Sequence, residues 1–294
     1  MTYLLAGLPS EPIDLGFVEL GWFKVLILGI VQGITELLPI SSTAHMRIVP
    51  SLLGWKDPGS AFSAVMQMAS LAAVVSYFWK DIKGLVGGTI RSIRDSDYQS
   101  SDLRMTAGII IGTIPLAIVG LLFKKIINAP GTPFRSLIAI GIACIVMSLL
   151  LALAEFKGSR KRGFEQLTLN DGLWVGVAQA LAIVPGVSRS GSTITAALFL
   201  GMERETAAKF SFLLGLPAVI LAGAVELHAL LNAGLDFNGW MVLLVGVISG
   251  SISAFAAIYG LLSYLESQST WLFVWYRMGM GILLIVGSIN GFLK

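Results

Sequence analysis

Cysteine is nearly absent from this chain, and the one thiol, Cys144, lies inside an apolar run. A single cysteine excludes an intrachain disulfide, and no Cys/His spacing suggests a zinc site. Charge is scarce as well: Asp, Glu, Lys and Arg make up 13% of the 294 residues, too few to cover a water-soluble domain of this length. The net charge of +3 lies mainly in loops, so it reads as a topology signal and argues against a nucleic-acid partner. Histidine occurs only at positions 45 and 228. Residues 1–20 lack the basic start and continuous apolar region of a signal peptide, because Glu11, Asp14 and Glu19 interrupt them, and insertion is expected through the spans themselves. What the chain has in quantity is hydrophobic residues, 55% of the total with a mean hydropathy of +0.83. That composition predicts a polytopic helical membrane protein.

Six apolar stretches reach spanning length: 61–79, 105–123, 136–154, 210–227, 239–265 and 271–293. Two further segments, 22–54 and 172–201, are moderately apolar but break at Pro39 and Pro185 into turns rich in hydroxyl residues before a short second helix resumes. Neither arm is comfortably long enough to span, so each predicts a re-entrant hairpin whose turn lies at membrane depth. Non-helical backbone is tolerated there only when buried in protein or lining a wet cavity. The expected fold is therefore all-α, with six transmembrane helices plus two re-entrant helical hairpins in a single membrane domain over residues 1–294.

The order of hairpin, three spans, hairpin, three spans gives halves of about 22–154 and 172–293. Three is odd, so the second half must enter the membrane inverted. Gly29, Gln32 and Ser41 align without a gap with Gly176, Gln179 and Ser188, and Phe62-Ser63 resembles Phe210-Ser211 at nearly the same offset. Inverted-topology repeats with broken helices place a site near the midplane at their interface. The 80–104 and 155–170 loops hold five and four basic residues, while the opposite face has Lys124, Lys125 and Arg135 in one loop and none between His228 and Asn238. Positive-inside bias puts the first hairpin and both termini outside and the second hairpin inside.

The polar residues within apolar sequence concentrate in the two turns, and intramembrane ionisable groups usually mark function. In the second turn, Ser188, Arg189, Ser190, Gly191, Ser192 and Thr193 immediately precede a helical run. An exposed helix start offers amide donors and a positive dipole end, and Arg189 adds a planar fork that suits phosphate oxygens. This is an anion cradle; the plainer reading has the hydroxyls capping a helix and Arg189 paired with Glu203 or Glu205. In the first turn, Ser41, Ser42 and Thr43 open a short helix, with His45 three residues after Ser42 and on the same face. A hydroxyl within reach of an imidazole is the arrangement that activates a weak nucleophile, and Glu36 could orient that imidazole or bind a metal. Arg277, inside the last span, either snorkels to the interface or adds a second cation to the site. Gln67 reads as an interhelical hydrogen-bonding residue, and His228 as a span-end residue without chemistry.

At these turns the chain resembles the undecaprenyl-diphosphate phosphatase family of the bacitracin-resistance type. The first family motif, Glu or Gln followed four positions later by Glu, stands here as Gln32 and Glu36 and continues into Pro39, Ser41, Ser42, Thr43 and His45. The second, P-G-x-S-R-S-x-x-T, is met by Pro185, Gly186, Ser188, Arg189, Ser190 and Thr193. The resemblance implies a bacterial inner-membrane hydrolase that converts undecaprenyl diphosphate to the monophosphate, recycles the carrier lipid of peptidoglycan synthesis and confers resistance to bacitracin. It further implies a divalent cation, Mg2+ or Ca2+, with Glu36 as ligand, and a site opening to the periplasm. Many family members have Glu where this chain has Gln32, and a neutral amide is a poorer metal ligand than a carboxylate.

The expected mechanism holds the diphosphate on Arg189, the 188–193 amides and hydroxyls and a metal near Glu36, while Ser42 attacks the terminal phosphorus and His45 takes its proton. Within the same class, His45 could be the nucleophile and Ser42 a binding hydroxyl. Gln32, Thr43 and Arg277 complete the expected substrate-binding set. A phosphatase with two catalytic histidines is disfavoured because His228 lacks surrounding basic and serine residues. The rival class is a membrane transporter or flippase for a phosphorylated lipid or small anion, which shares the broken-helix architecture but does not require Ser42, His45 and Glu36. The oligomeric state, a homodimer included, is left open by the sequence.

Overall fold

The computed structural model describes residues 15–128 and 132–293, and among them the chain is all-helical apart from one isolated bridge between Arg162 and Met202. Eleven α-helices follow in order: α1 Gly16–Leu37, α2 Ser42–Leu52, α3 Ser60–Tyr77, α4 Trp79–Arg94, α5 Ser101–Asn128, α6 Leu137–Lys157, α7 Leu169–Ala180, α8 Arg189–Phe199, α9 Arg204–Leu231, α10 Phe237–Ser267 and α11 Trp271–Ile289. Six of them are long and apolar enough to cross a membrane: α1, α5 over Ser101–Phe123, α6, α9, α10 and α11.

Five of these match expected spans. The sixth expected span, 61–79, is covered by the 18-residue α3 over Ser60–Tyr77, whose Val65–Tyr77 part is apolar, and α1 joins the set beside it. The length of α1 includes Gly21, whose φ of 75° breaks the helix. The unbroken part, 22–37, is about 24 Å long at 1.5 Å per residue, short of the roughly 30 Å hydrocarbon core.

Two other expectations are corrected. The 80–104 segment is no simple loop: α4 fills most of it, because its apolar residues recur at helical spacing even though its mean hydropathy is too low for a span. Lys124 and Lys125, placed in a loop by the sequence, lie within the long α5.

The helix starts explain themselves locally. Thr168 and Asp171 form a reciprocal capping box at α7, and Ser136 and Asp236 cap α6 and α10. Ser41 and Ser188 cap α2 and α8 from an unusual state, with φ of 71° and 68°, and each accepts a hydrogen bond from the amide three residues on. These two turns, 147 positions apart, therefore share one backbone conformation.

Helix packing follows a paired pattern. α1 lies on α10 and α7 on α5; α3 contacts α10 and α9 contacts α5; α6 pairs with α11. Glycines set the closest approaches. A methyl group on Gly33 would lie 2.3 Å from the carbonyl oxygen of Gly250, and one on Gly176 would lie 2.2 Å from that of Gly112. Membrane helices gain little from hydrophobic exclusion among themselves, so such backbone approaches carry much of their association.

Candidate active site

The two turns meet. At the end of α1, the Glu36 carboxylate accepts three hydrogen bonds: from Gln32 Nε2 (3.0 Å) and Ser42 Oγ (2.7 Å) on Oε2, and from Arg189 Nη2 (3.3 Å) on Oε1. The Glu36–Arg189 ion pair is largely buried, and a pair taken out of water persists only where further hydrogen bonds satisfy it. The arginine thus pairs across 153 positions with Glu36, rather than with the sequence-near Glu203 or Glu205. Ser190 ties the turns a second time, its hydroxyl donating to the carbonyl oxygen of Leu38 at 2.9 Å. The guanidinium of Arg189 lies along Gly215, where a Cβ would stand 2.0 Å from Nη1, and faces a small cleft bordered by Ser70 and Val74 of α3 and Phe212 and Leu216 of α9.

His45 is buried beside this group but is not bonded to Ser42. Its Nδ1 lies 2.8 Å from the carbonyl oxygen of Ser41, and its Nε2 lies 2.7 Å from the hydroxyl of Tyr276. A carbonyl only accepts, so Nδ1 carries the proton and Nε2 accepts from the tyrosine. The two rings are parallel, with centroids 5.6 Å apart. Ser42 and His45 share a face of α2 as expected, yet the acceptor on the serine hydroxyl is Glu36. Tyr276 was missed by sequence reasoning, because an aromatic residue in an apolar span reads as packing.

Arg277 neither snorkels nor presents a cation to the Glu36 group. It is fully buried, and its guanidinium donates to the carbonyl oxygens of Pro39 (3.3 Å), Gly186 (2.8 Å) and Val187. It pins both turns together through their backbones. Other predicted residues take supporting positions. Thr193 Oγ1 donates to the Arg189 carbonyl oxygen (2.8 Å) and lies 2.5 Å from Ser211 Oγ. Ser188 Oγ accepts from the Gly191 amide (3.1 Å), and Thr43 stands on the exposed side of α2. Gln32 Oε1 is buried without a hydrogen-bond partner, immediately beside Glu36. Among the described residues, no three His, Cys, Asp or Glu side chains gather as a metal cluster.

These features define a multi-pass helical membrane protein whose buried centre joins a hydroxyl and a guanidinium, donors suited to an oxyanion, with a carboxylate that accepts from both. The family described as bacitracin resistance protein BacA matches residues 25–283. Similar curated proteins include the undecaprenyl-diphosphatase of Trichormus variabilis, 54% identical over 94% of this chain and 86% of its own length. Undecaprenyl-diphosphatase 2 of Mesorhizobium japonicum is 54% identical over 90% of this chain and all of its own length. The undecaprenyl-diphosphatase of Synechococcus elongatus is 50% identical over 99% of both chains. The chain belongs to the BacA family.

Proposed function

We propose that this protein hydrolyses undecaprenyl diphosphate to undecaprenyl phosphate and inorganic phosphate, recycling the lipid carrier of peptidoglycan synthesis and so conferring bacitracin resistance. The observation that carries the reading is the convergence of Glu36, Ser42 and Arg189 from two different turns. The diphosphatase relatives support it and do not favour a transporter or flippase.

Ser42 is the nucleophile. Its oxygen forms a bond to the terminal phosphorus, the bridging P–O bond breaks, and the lipid monophosphate leaves. The serine proton passes to Glu36, its hydrogen-bond partner at 2.7 Å. Water then attacks the phosphoserine and releases inorganic phosphate. Arg189 exchanges its contact with Glu36 for the phosphoryl oxygens, where its fork offsets the charge that develops. Proton acceptance by His45, the expectation from sequence, would require the ring to leave both Ser41 and Tyr276, so in this reading His45 and Tyr276 position the start of α2. Ser188, Ser190 and Thr193 shape the cradle that holds Arg189, and Arg277 sets the turns in register.

A divalent cation, Mg2+ or Ca2+, fits these residues. Glu36 and the orphaned Oε1 of Gln32 would hold it together with the substrate's own diphosphate, since Mg2+ typically takes one or two carboxylates plus phosphates. When bound it would neutralise the diphosphate charge.

The setting is a bacterial inner membrane with the site open to the periplasm. The halves form an inverted repeat, with α1–α2 and α7–α8 as re-entrant hairpins. The shared backbone of the Ser41 and Ser188 caps supports this, as does the exchange of contacts α1–α10 with α7–α5 and α3–α10 with α9–α5 under one swap of halves. The test is phosphate release from undecaprenyl diphosphate by purified protein in detergent, with and without EDTA, comparing wild type with Ser42→Ala, Glu36→Gln, His45→Ala and Arg189→Ala. Metal-dependent release that vanishes in Ser42→Ala, Glu36→Gln and Arg189→Ala supports the hydrolase. A folded wild-type protein that releases no phosphate overturns it.

A further inference from the structure

Helix α4 belongs to neither turn and takes no part in the chemistry, yet its surface is divided three ways. Gly88, Thr89 and Ser92 face α5: the Thr89 hydroxyl lies 2.7 Å from that of Thr106, and the Ser92 hydroxyl lies 2.6 Å from that of Ser100. At 100° per residue, Trp79, Val86, Ile90 and Ile93 fall together on a second face, away from α5. All four are exposed, with Val86, Ile90 and Ile93 at 52, 62 and 55%. Lys80, Lys83, Arg91 and Arg94 form a stripe along one flank of that apolar face. Arg94 is engaged by Asp95 at 2.9 Å, whereas Lys80, Lys83 and Arg91 have no ion-pair partner among the described residues.

The depth of this helix follows from what holds its ends. Near its start, Asp81 pairs with Lys209 at 2.5 Å, immediately before the apolar run of α9 that begins at Phe210. Its later turns are held by Ser100, Asp102 and Thr106, where the apolar run of α5 begins at Met105. Both ends are therefore fastened at the level where spans leave the hydrocarbon. A helix held so lies along the boundary. An apolar face with a basic flank at that depth is the composition of an interfacial helix, with tryptophan at its edge.

We propose that α4 is an in-plane anchor, its Trp79–Val86–Ile90–Ile93 face in the acyl boundary and its Lys80, Lys83 and Arg91 stripe a binding surface for anionic phospholipid headgroups of the same leaflet. Charge complementarity selects the occupant: three unpaired cations at a bilayer surface match phosphate-bearing lipids with net negative charge. The site is independent of the hydrolase reading, because it shares no residue with the Glu36 group.

Two measurements on the full-length protein in lipid test this. Nitroxide labels at Ile90→Cys and Gly84→Cys, with Cys144 buried and left in place, are compared for collisions with oxygen and with a water-soluble nickel chelate. The label at 90 should favour oxygen and that at 84 nickel. Retention of phosphatidylglycerol over phosphatidylcholine is then measured for wild type and Lys80→Gln/Lys83→Gln/Arg91→Gln. Wild type should prefer the anionic lipid about fivefold, roughly what one surface cation contributes, and the triple variant should show little preference. Raising salt to about 1 M, where screening acts within about 3 Å, should collapse the wild-type preference. Equal collision ratios at 84 and 90, an unchanged preference in the triple variant, or dipolar coupling between labels at 90 on two copies would overturn the proposal.

Discussion

Replacing Arg277 with Met removes a buried side chain that donates to the backbone of both turns. The substitution keeps an unbranched chain of similar reach but strands the carbonyl oxygens of Pro39 and Val187 in the interior and leaves that of Gly186 with only the weak thiol donor of Cys144. An orphaned buried acceptor costs about 1–3 kcal/mol, so the two orphans give roughly 2–6 kcal/mol before relaxation, and the weakened Gly186 contact adds to this. Relief from burying a guanidinium returns several kcal/mol, and a net loss of about 2–4 kcal/mol is expected. At roughly 2–4 °C per kcal/mol for a chain approaching this size, the detergent-solubilised variant should melt about 5–15 °C lower. Phosphate release should fall with it, because Ser42 and Arg189 begin the helices that follow the untied turns. Arg277→Lys should lie between the two, since a compact ammonium cannot reach three divergent carbonyls. The assays are thermal unfolding followed by tryptophan fluorescence, and phosphate release well below the melting point. A variant with wild-type stability and activity would refute the pinning argument. Wild-type stability with lost activity would return Arg277 to the substrate-binding role expected from sequence.

Four further outcomes are expected. Glu36→Gln should lower kcat by at least about 100-fold, since a positioned base contributes roughly that much; retention of a tenth of wild-type turnover would remove Glu36 as the base. Gly215→Ala should displace the Arg189 guanidinium, for which a Cβ at 2.0 Å leaves no room, and raise KM several-fold; a variant with wild-type kinetics would show that the arginine relocates freely. Tyr276→Phe should cost about 1 kcal/mol of stability through the lost donor to His45, read by thermal unfolding, and leave turnover within about tenfold; abolition of activity would make the tyrosine part of the chemistry. Burial pushes the Asp171 carboxyl upward, but hydrogen bonds from Arg162 and Thr168 and the arginine's charge outweigh it and hold the group below the usual carboxylate value. The resulting stability is present above about pH 4 and is lost as pH falls through the depressed value. Asp171→Asn should therefore melt lower than wild type at pH 7, with the gap closing below about pH 4; a gap that widens on acidification would reverse the sign and sink the argument.

Much of this molecule is legible in its sequence, for identifiable physical reasons. Long apolar runs register in any window of spanning length, so five spans lie where hydropathy puts them. Pro39 and Pro185 mark both turns because each stands beside a cluster of hydroxyl residues that can cap a new helix, whereas Pro115 and Pro217, without such a cluster, lie inside α5 and α9. Helix α4 escaped the same search because its basic stripe cancels its apolar face in any average, although the recurrence of Trp79, Val86, Ile90 and Ile93 encodes it. Within the site, the membership of Glu36, Ser42 and Arg189 is readable, but their pairing is not. Local spacing joins Ser42 to His45, whereas the positive φ of Ser41 carries Ser42 back over the end of α1 to Glu36. Arg277 and Tyr276 are 91 and 231 positions from partners that no local pattern connects to them.

The twin serine caps at 41 and 188 have one more consequence. The residue after each cap holds the same place on its helix, and in one turn it is Ser42 while in the other it is Arg189. In the proposed repeat the two turns have opposite polarity, a hydroxyl oxygen on one side and a cation on the other, with Glu36 between them. A symmetric frame thus produces a directional centre. A chain with just one turn's residue exchanged for the other's would carry two hydroxyls or two cations beside Glu36 and no complementary pair.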